Sequence, residues 1–250
     1  MIRPRQKRWQ GTAVSMQGSK HVMACIPCQD SSDLFTDRSS CALFVADGAG
    51  SAPHSHFASQ AAVERAKGYY QEQIAITRPK DESAWRLLLS ACAVKAREAI
   101  GDLVTDERPL PTLRTTFLMM VLNAYNAVTV HIGDGAGFVV DQENTFTLLA
   151  SPENGEYINQ TYFLTDRDWE EHLHVTYQPG HFHAGLAFSD GLQCIALHHG
   201  TPFTGFANGI VTQLREIRPK KRQVALQQYL SQHIIGKRTD DDVSLVVAWR

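Results

Sequence analysis

With 43% hydrophobic and 20% charged residues among 250, the chain has apolar material for a large core and too little charge for global disorder. A formal net charge of −2 excludes the basic balance expected of a nucleic-acid or membrane-surface binder. The longest apolar run, residues 117–122, is too short to cross a bilayer.

The basic start (Arg3, Arg5, Lys7, Arg8) precedes no apolar segment, so the expectation is a cytoplasmic chain without a leader. Residues 8–16 and 20–24 read as two short strands joined by a Gln17-Gly18-Ser19 turn. Five cysteines, an odd number, argue for reduced thiols. Cys25 and Cys28 have CxxC spacing without a second pair or a helix starting there, so they read as two small residues ahead of an aspartate. Residues 41–46 form a buried strand. Residues 55–75 and 82–103 have helical spacing of apolar positions, with Pro53 before the first helix and Pro109 and Pro111 after the second.

Strands follow at 115–122, 128–133, 137–141 and 146–150, separated by short turns in meander fashion. Val175 and residues 186–189 add further strands. Residues 193–197 and 205–217 read as helical or irregular, 221–235 as a helix and 243–249 as a last strand. No linker composition interrupts the chain, so it reads as one domain over 1–250. The order of elements predicts an α+β fold, two mostly antiparallel sheets packed together with helices outside.

Three apolar runs end in Asp-Gly: Phe44-Val45-Ala46-Asp47-Gly48, Ile132-Gly133-Asp134-Gly135 and Phe188-Ser189-Asp190-Gly191. Asp-Gly is ordinary turn chemistry at any one of these places. Asp47 and Asp190, however, follow runs that should be buried, where a carboxylate is costly without a compensating cation. Asp30 and the acidic Asp240-Asp241-Asp242, leading into the last strand, extend the set. Carboxylates without a matching His or Cys set favour hard divalent ions, Mg²⁺ or Mn²⁺. Two such ions, about 3.5–4 Å apart, suit phosphate-ester hydrolysis. His54 and His56, near the first motif, could donate a proton to a leaving alcohol or be solvated residues at a helix start. His172, His174, His181 and His183 alternate as a metal-binding strand face could, or as a polar loop would.

In order along the chain, Cys28-Gln29-Asp30, Val45-Ala46-Asp47-Gly48, Thr115-Thr116 with Gly133-Asp134, Phe188-Ser189-Asp190-Gly191-Leu192 and Asp241-Asp242-Val243-Ser244 resemble the motifs of the metal-dependent Ser/Thr protein phosphatases of the 2C type, in a divergent bacterial branch. The resemblance implies a four-layer αββα sandwich. It implies two ions, Mn²⁺ or Mg²⁺, bridged by Asp47, with the Gly48 carbonyl on one and Asp190 and Asp241 on the other. Asp30 would lie in or near that set, and Asp134 matches a residue that supports a third ion in some members. The implied reaction is direct attack of metal-bound hydroxide on phosphorus of phosphoserine or phosphothreonine. The implied partners are phosphorylated proteins, a Ser/Thr kinase or its targets among them, and neither nucleic acid nor membrane.

The chain departs from the family pattern in several places. Gln29 stands where an acidic residue is common. Cys25 stands where many members carry a phosphate-binding arginine, with Arg38 and Arg114 as possible substitutes. Ala49 stands where an acid histidine is common, leaving His54 as the candidate acid. Cys194 replaces an acidic residue tied to the third ion. The Gly-Asp motif runs on as Gly135-Ala136-Gly137, without the arginine common there. These departures keep two alternatives open: a catalytically degenerate binding or regulatory module, and a small-molecule phosphomonoesterase.

Overall fold

Consecutive apolar residues in a strand mean that both of its faces are covered. The computed structural model, which describes residues 8–153 and 161–250, shows what covers them. In chain order the elements are β1 (Gln10–Met16), α1 (Ser19–Ala24), β2 (Asp30–Thr36), β3 (Cys41–Asp47), α2 (Ser55–Ile76) and α3 (Glu82–Gly101). Then come β4 (Phe117–Leu122), β5 (Asn126–Ile132), β6 (Ala136–Asp141), β7 (Phe146–Ala150), β8 (His174–Pro179) and β9 (Phe182–Phe188). The last are α4 (Gln193–Ala196), β10 (Leu197–His198), β11 (Thr201–Pro202), α5 (Thr204–Glu216), α6 (Arg222–His233) and β12 (Val243–Trp249).

Two five-stranded sheets run β1-β12-β9-β6-β7 and β2-β3-β4-β5-β8, and every pairing in them is antiparallel. Alternation along the strands builds three apolar layers. Ala42, Phe44 and Ala46 of β3 and Phe117, Met119 and Val121 of β4 pack under α2 and α3. Cys41, Leu43 and Val45, with Leu118, Met120 and Leu122, meet Val139, Ala187, Val246 and Ala248 between the sheets. Val243, Leu245, Val247 and Trp249 of β12 face α5 and α6. The layering is α-β-β-α, as expected.

One local expectation is corrected and one element goes unanticipated. Residues 19–24 form a short helix, not a strand. Val22 and Met23, whose apolar character suggested a strand, are 57% and 79% exposed, while His21 is buried. The helix ends where Cys25 turns left-handed at φ 55° and its N–H returns to the His21 and Val22 carbonyls. Conversely, Asp30–Thr36 is a strand at a sheet edge, although its polar sequence carries no strand signal. The five cysteines are free thiols. Among the described residues no helix is long and apolar enough to cross a membrane.

Candidate metal centre

Strand register delivers the acidic residues to one place. The β2–β3 ladder sets Asp30 opposite Asp47. Asp47 is the last residue of β3, and its backbone is clamped from both sides: its N–H donates to Thr116 Oγ1 (3.0 Å), while its carbonyl accepts from Thr116 N (2.8 Å) and Thr115 Oγ1 (2.9 Å). Thr115-Thr116 therefore aims the strand exit. Gly48 then passes so close to its neighbours that a Cβ would sit 2.7 Å from Ser55 Cβ and 2.8 Å from the Gln29 carbonyl oxygen. Asp134 follows Gly133, whose φ of 103° favours glycine and whose Cβ would strike Thr116. Asp190 stands just past β9. Beside it, Ser189 Oγ donates to Asp30 Oδ2 (2.7 Å) and accepts from Ser244 N (2.9 Å), which links both sheets beneath the acidic group.

Oxygen atoms of Asp47, Asp134 and Asp190 lie within 4.8 Å of one another. They line a cavity of about 220 Å³ together with Gly48, Asp241 and Lys20. Asp30 is not in that lining. It is 7% exposed and sits behind Asp47. Burial raises all four inner carboxyls: Asp30 to about 8, with the charges of Asp190 and Asp242 adding and the Ser189 hydroxyl opposing. Asp47 rises well above the carboxylate range through burial and then the charges of Asp30 and Asp190. Asp134 rises to about 6, by burial and then Asp190, and Asp190 rises chiefly by burial. Asp30 Oδ1 and Asp134 Oδ1 are buried without a hydrogen-bond partner. Packed, unneutralised carboxylate oxygens with orphaned atoms are what a hard divalent cation would satisfy, and the group contains no His or Cys.

The two C-terminal aspartates separate. Asp241 is exposed at the cavity rim. Asp242 is buried, and its carboxylate accepts from Gly18 N (2.7 Å) and Gln29 N (2.5 Å), with His21 Nδ1 2.9 Å away. These bonds hold α1 against the site, and α1 brings Lys20, a cation that the strand expectation for 20–24 concealed. The Gly18-Ser19 pair, a small-residue start followed by Lys-His, was the available signal for this turn of helix.

His54, the candidate acid, lies apart from the aspartates. It does not line the cavity, because the chain reaches α2 with its ring against Thr112 (Nδ1 to Oγ1 3.1 Å). Neither Arg38 nor Arg114 lines it. Arg38 is exposed in the turn between β2 and β3, whereas Arg114 pairs with Asp166 at 3.0 Å and lies 4.3 Å from the ring centre of Phe163, itself a lining residue. Gln29 is built into the backbone network: its carbonyl accepts from Gly48 N and Ser59 Oγ. His172 and His174 bracket Glu153 at 3.3 and 2.8 Å, away from the aspartates. Among the described residues, the aspartate trio is the one group with metal-ligand spacing.

A family model described as protein phosphatase 2C matches residues 17–231. Serine/threonine-protein phosphatase 3 of Escherichia coli (strain K12) is 30% identical over 252 residues, spanning 96% of this chain and 98% of that protein. Among solved structures, the catalytic domain of the serine/threonine phosphatase PstP in complex with two manganese ions shares the fold, with a TM-score of 0.65 at 20% identity over 97% of this chain and 98% of that one. The S. agalactiae serine/threonine phosphatase does so at 0.66 and 16% identity, over 96% and 99%.

Proposed function

The chain belongs to the protein phosphatase 2C family and is a serine/threonine phosphatase, and on that premise we propose that it hydrolyses phosphoserine and phosphothreonine in proteins with two divalent ions, Mn²⁺ or Mg²⁺, the whole of 1–250 acting as one catalytic domain. The observation that carries the metal dependence is the trio Asp47, Asp134 and Asp190 within 4.8 Å, with buried, unpartnered oxygens on Asp134 and on Asp30 behind it. Asp47, the Gly48 carbonyl, Asp190, Asp241 and Asp134 would hold the ions, and Asp30 would support them from behind. When bound, such ions supply positive charge against the phosphoryl oxygens and raise the acidity of an attacking water.

The remaining work falls to the protein. Lys20, exposed at the cavity mouth, draws in the phosphate dianion and supplies the cationic contact that the position of Cys25 lacks. The clamp of Thr115 and Thr116 on the Asp47 backbone keeps the carboxylate from swinging away when charge enters the cavity. Asp30, pinned by Ser189, blocks the space behind it. Phosphorylated kinases or kinase targets in the cytoplasm are the substrates this assignment implies.

The test is hydrolysis of p-nitrophenyl phosphate with Mn²⁺ by the wild type, Asp47→Asn and Asp190→Asn. Each substitution is expected to lower the rate by about a hundredfold or more. Unchanged activity in either variant would sink the assignment. A panel of phosphoserine, phosphothreonine and phosphotyrosine peptides then reads the substrate class directly.

A further inference from the structure

A groove of about 550 Å³ opens beside the aspartate cavity and shares Ser51 with its lining. Three arginines, Arg97, Arg114 and Arg167, line it against one carboxylate, Asp166. Their commitments differ. Arg97 donates to the main-chain oxygens of Leu164 and Asp166 and makes no ion pair among the described residues, although the Asp166 and Glu170 charges act on it from a distance. Arg114 is paired with Asp166. Arg167 is exposed and makes no ion pair among the described residues. Thr165, in the same lining, is 7% exposed, yet its Oγ1 is buried without a hydrogen-bond partner. An unused hydroxyl donor among guanidinium forks is a setting for an oxyanion.

The groove is also tied to the centre. Ala49 N donates to the Arg114 carbonyl at 3.0 Å, so the loop after Asp47 hangs on a residue whose side chain walls the groove. The aspartate cavity, about 220 Å³, is taken up by the proposed ions and the reacting phosphate. A substrate with more than one anionic group must place the others elsewhere, and the arginine groove is the adjoining positive surface.

We propose that this groove is an anion subsite that holds an acidic group, a carboxylate or a second phosphate, beside the phosphorylated residue of a peptide substrate. The proposal rests on the phosphatase assignment and adds a sequence preference that the aspartates do not confer. It is tested by kcat/KM on three phosphothreonine peptides of one frame, flanked on both sides by glutamine, by glutamate, or by non-hydrolysable phosphonate mimics of phosphothreonine. p-Nitrophenyl phosphate is run alongside. At least one anionic peptide is expected to exceed the neutral one by about three- to tenfold, and Arg167→Glu to erase or invert that ratio. Arg167 is exposed, so its replacement leaves the core intact. A gain with glutamate identifies a carboxylate as the partner group, and a gain confined to the phosphonate identifies a phosphate. Equal kcat/KM across the peptides, or a preference that survives Arg167→Glu, overturns the subsite and leaves the phosphatase assignment standing. Failure to hydrolyse any peptide or p-nitrophenyl phosphate overturns that assignment itself.

Discussion

Replacing Asp242 with alanine is expected to weaken the fold far more than any change at its neighbour Asp241. Asp242 is 3% exposed, and its two oxygens accept the Gly18 and Gln29 N–H groups at 2.7 and 2.5 Å. Alanine leaves both donors buried without an acceptor and frees His21. A hydrogen bond to a charged group contributes about 1.5–3 kcal/mol, so the loss of two gives about 3–6 kcal/mol. For a chain of this length 1 kcal/mol moves Tm by roughly 2–4 °C, so the expected fall is about 6–24 °C. Urea unfolding followed by tryptophan fluorescence measures the free energy, and a thermal scan measures Tm. Asp241→Asn is the contrast. Asp241 is exposed at the cavity rim, so its stability is expected within about 0.5 kcal/mol of wild type while Mn²⁺-dependent turnover falls. A loss below about 1 kcal/mol for Asp242→Ala, or an equal loss for Asp241→Asn, refutes this division between a buried anchor and an exposed rim residue.

Two further outcomes follow from the same packing. In metal-free protein the raised carboxyl of Asp30 keeps its proton when folded and loses it when unfolded, so its stabilisation is full below the ordinary value near 3.8 and is lost as pH rises toward about 8, and Asp47, also raised by burial, slopes in the same direction. Buried His131, lowered to about 4, slopes the other way below about 6.5, so the clean window lies between 6.5 and 8. There, Tm of chelator-stripped protein is expected to fall with rising pH and saturating Mn²⁺ to flatten the slope; a flat or rising profile without metal contradicts the burial argument. Gly48→Ala places a methyl 2.7 Å from Ser55 Cβ, and equilibrium urea unfolding should register a cost of about 1–3 kcal/mol, whereas a neutral result shows that α2 can shift freely.

What could be read from the residues depended on how locally they were determined. β3, β4 and β12 were legible because strands covered on both faces are apolar at every position. Asp47, Asp134 and Asp190 were legible because each follows such a strand at a glycine turn. β2 was not, since an edge strand with sequence DSSDLFT shows no apolar period. α1 was misread because Val22 and Met23 point to solvent, and its docking depends on Asp240 and Asp242 at the far end of the chain: Lys20 N donates to the Asp240 carbonyl at 3.0 Å. Lys20 therefore joined the site through a tertiary contact that no local pattern records. His54 shows the reverse, as its proximity to Asp47 along the chain does not put it in the cavity lining, and its ring meets Thr112.

The place of β12, between β1 and β9, also sets when the centre can exist. Asp30, Asp47, Asp134 and Asp190 all leave the ribosome before Val243, the first residue of the strand that joins β1 to β9. Pairings this distant along a chain close late and slowly. A nascent polypeptide that stops short of this strand keeps the β2–β3 pairing of Asp30 with Asp47 but lacks both the Asp242 anchor and the Ser244 link that ties Ser189-Asp190 to the centre. The frame around the centre is therefore complete only once β12 has paired with β1 and β9.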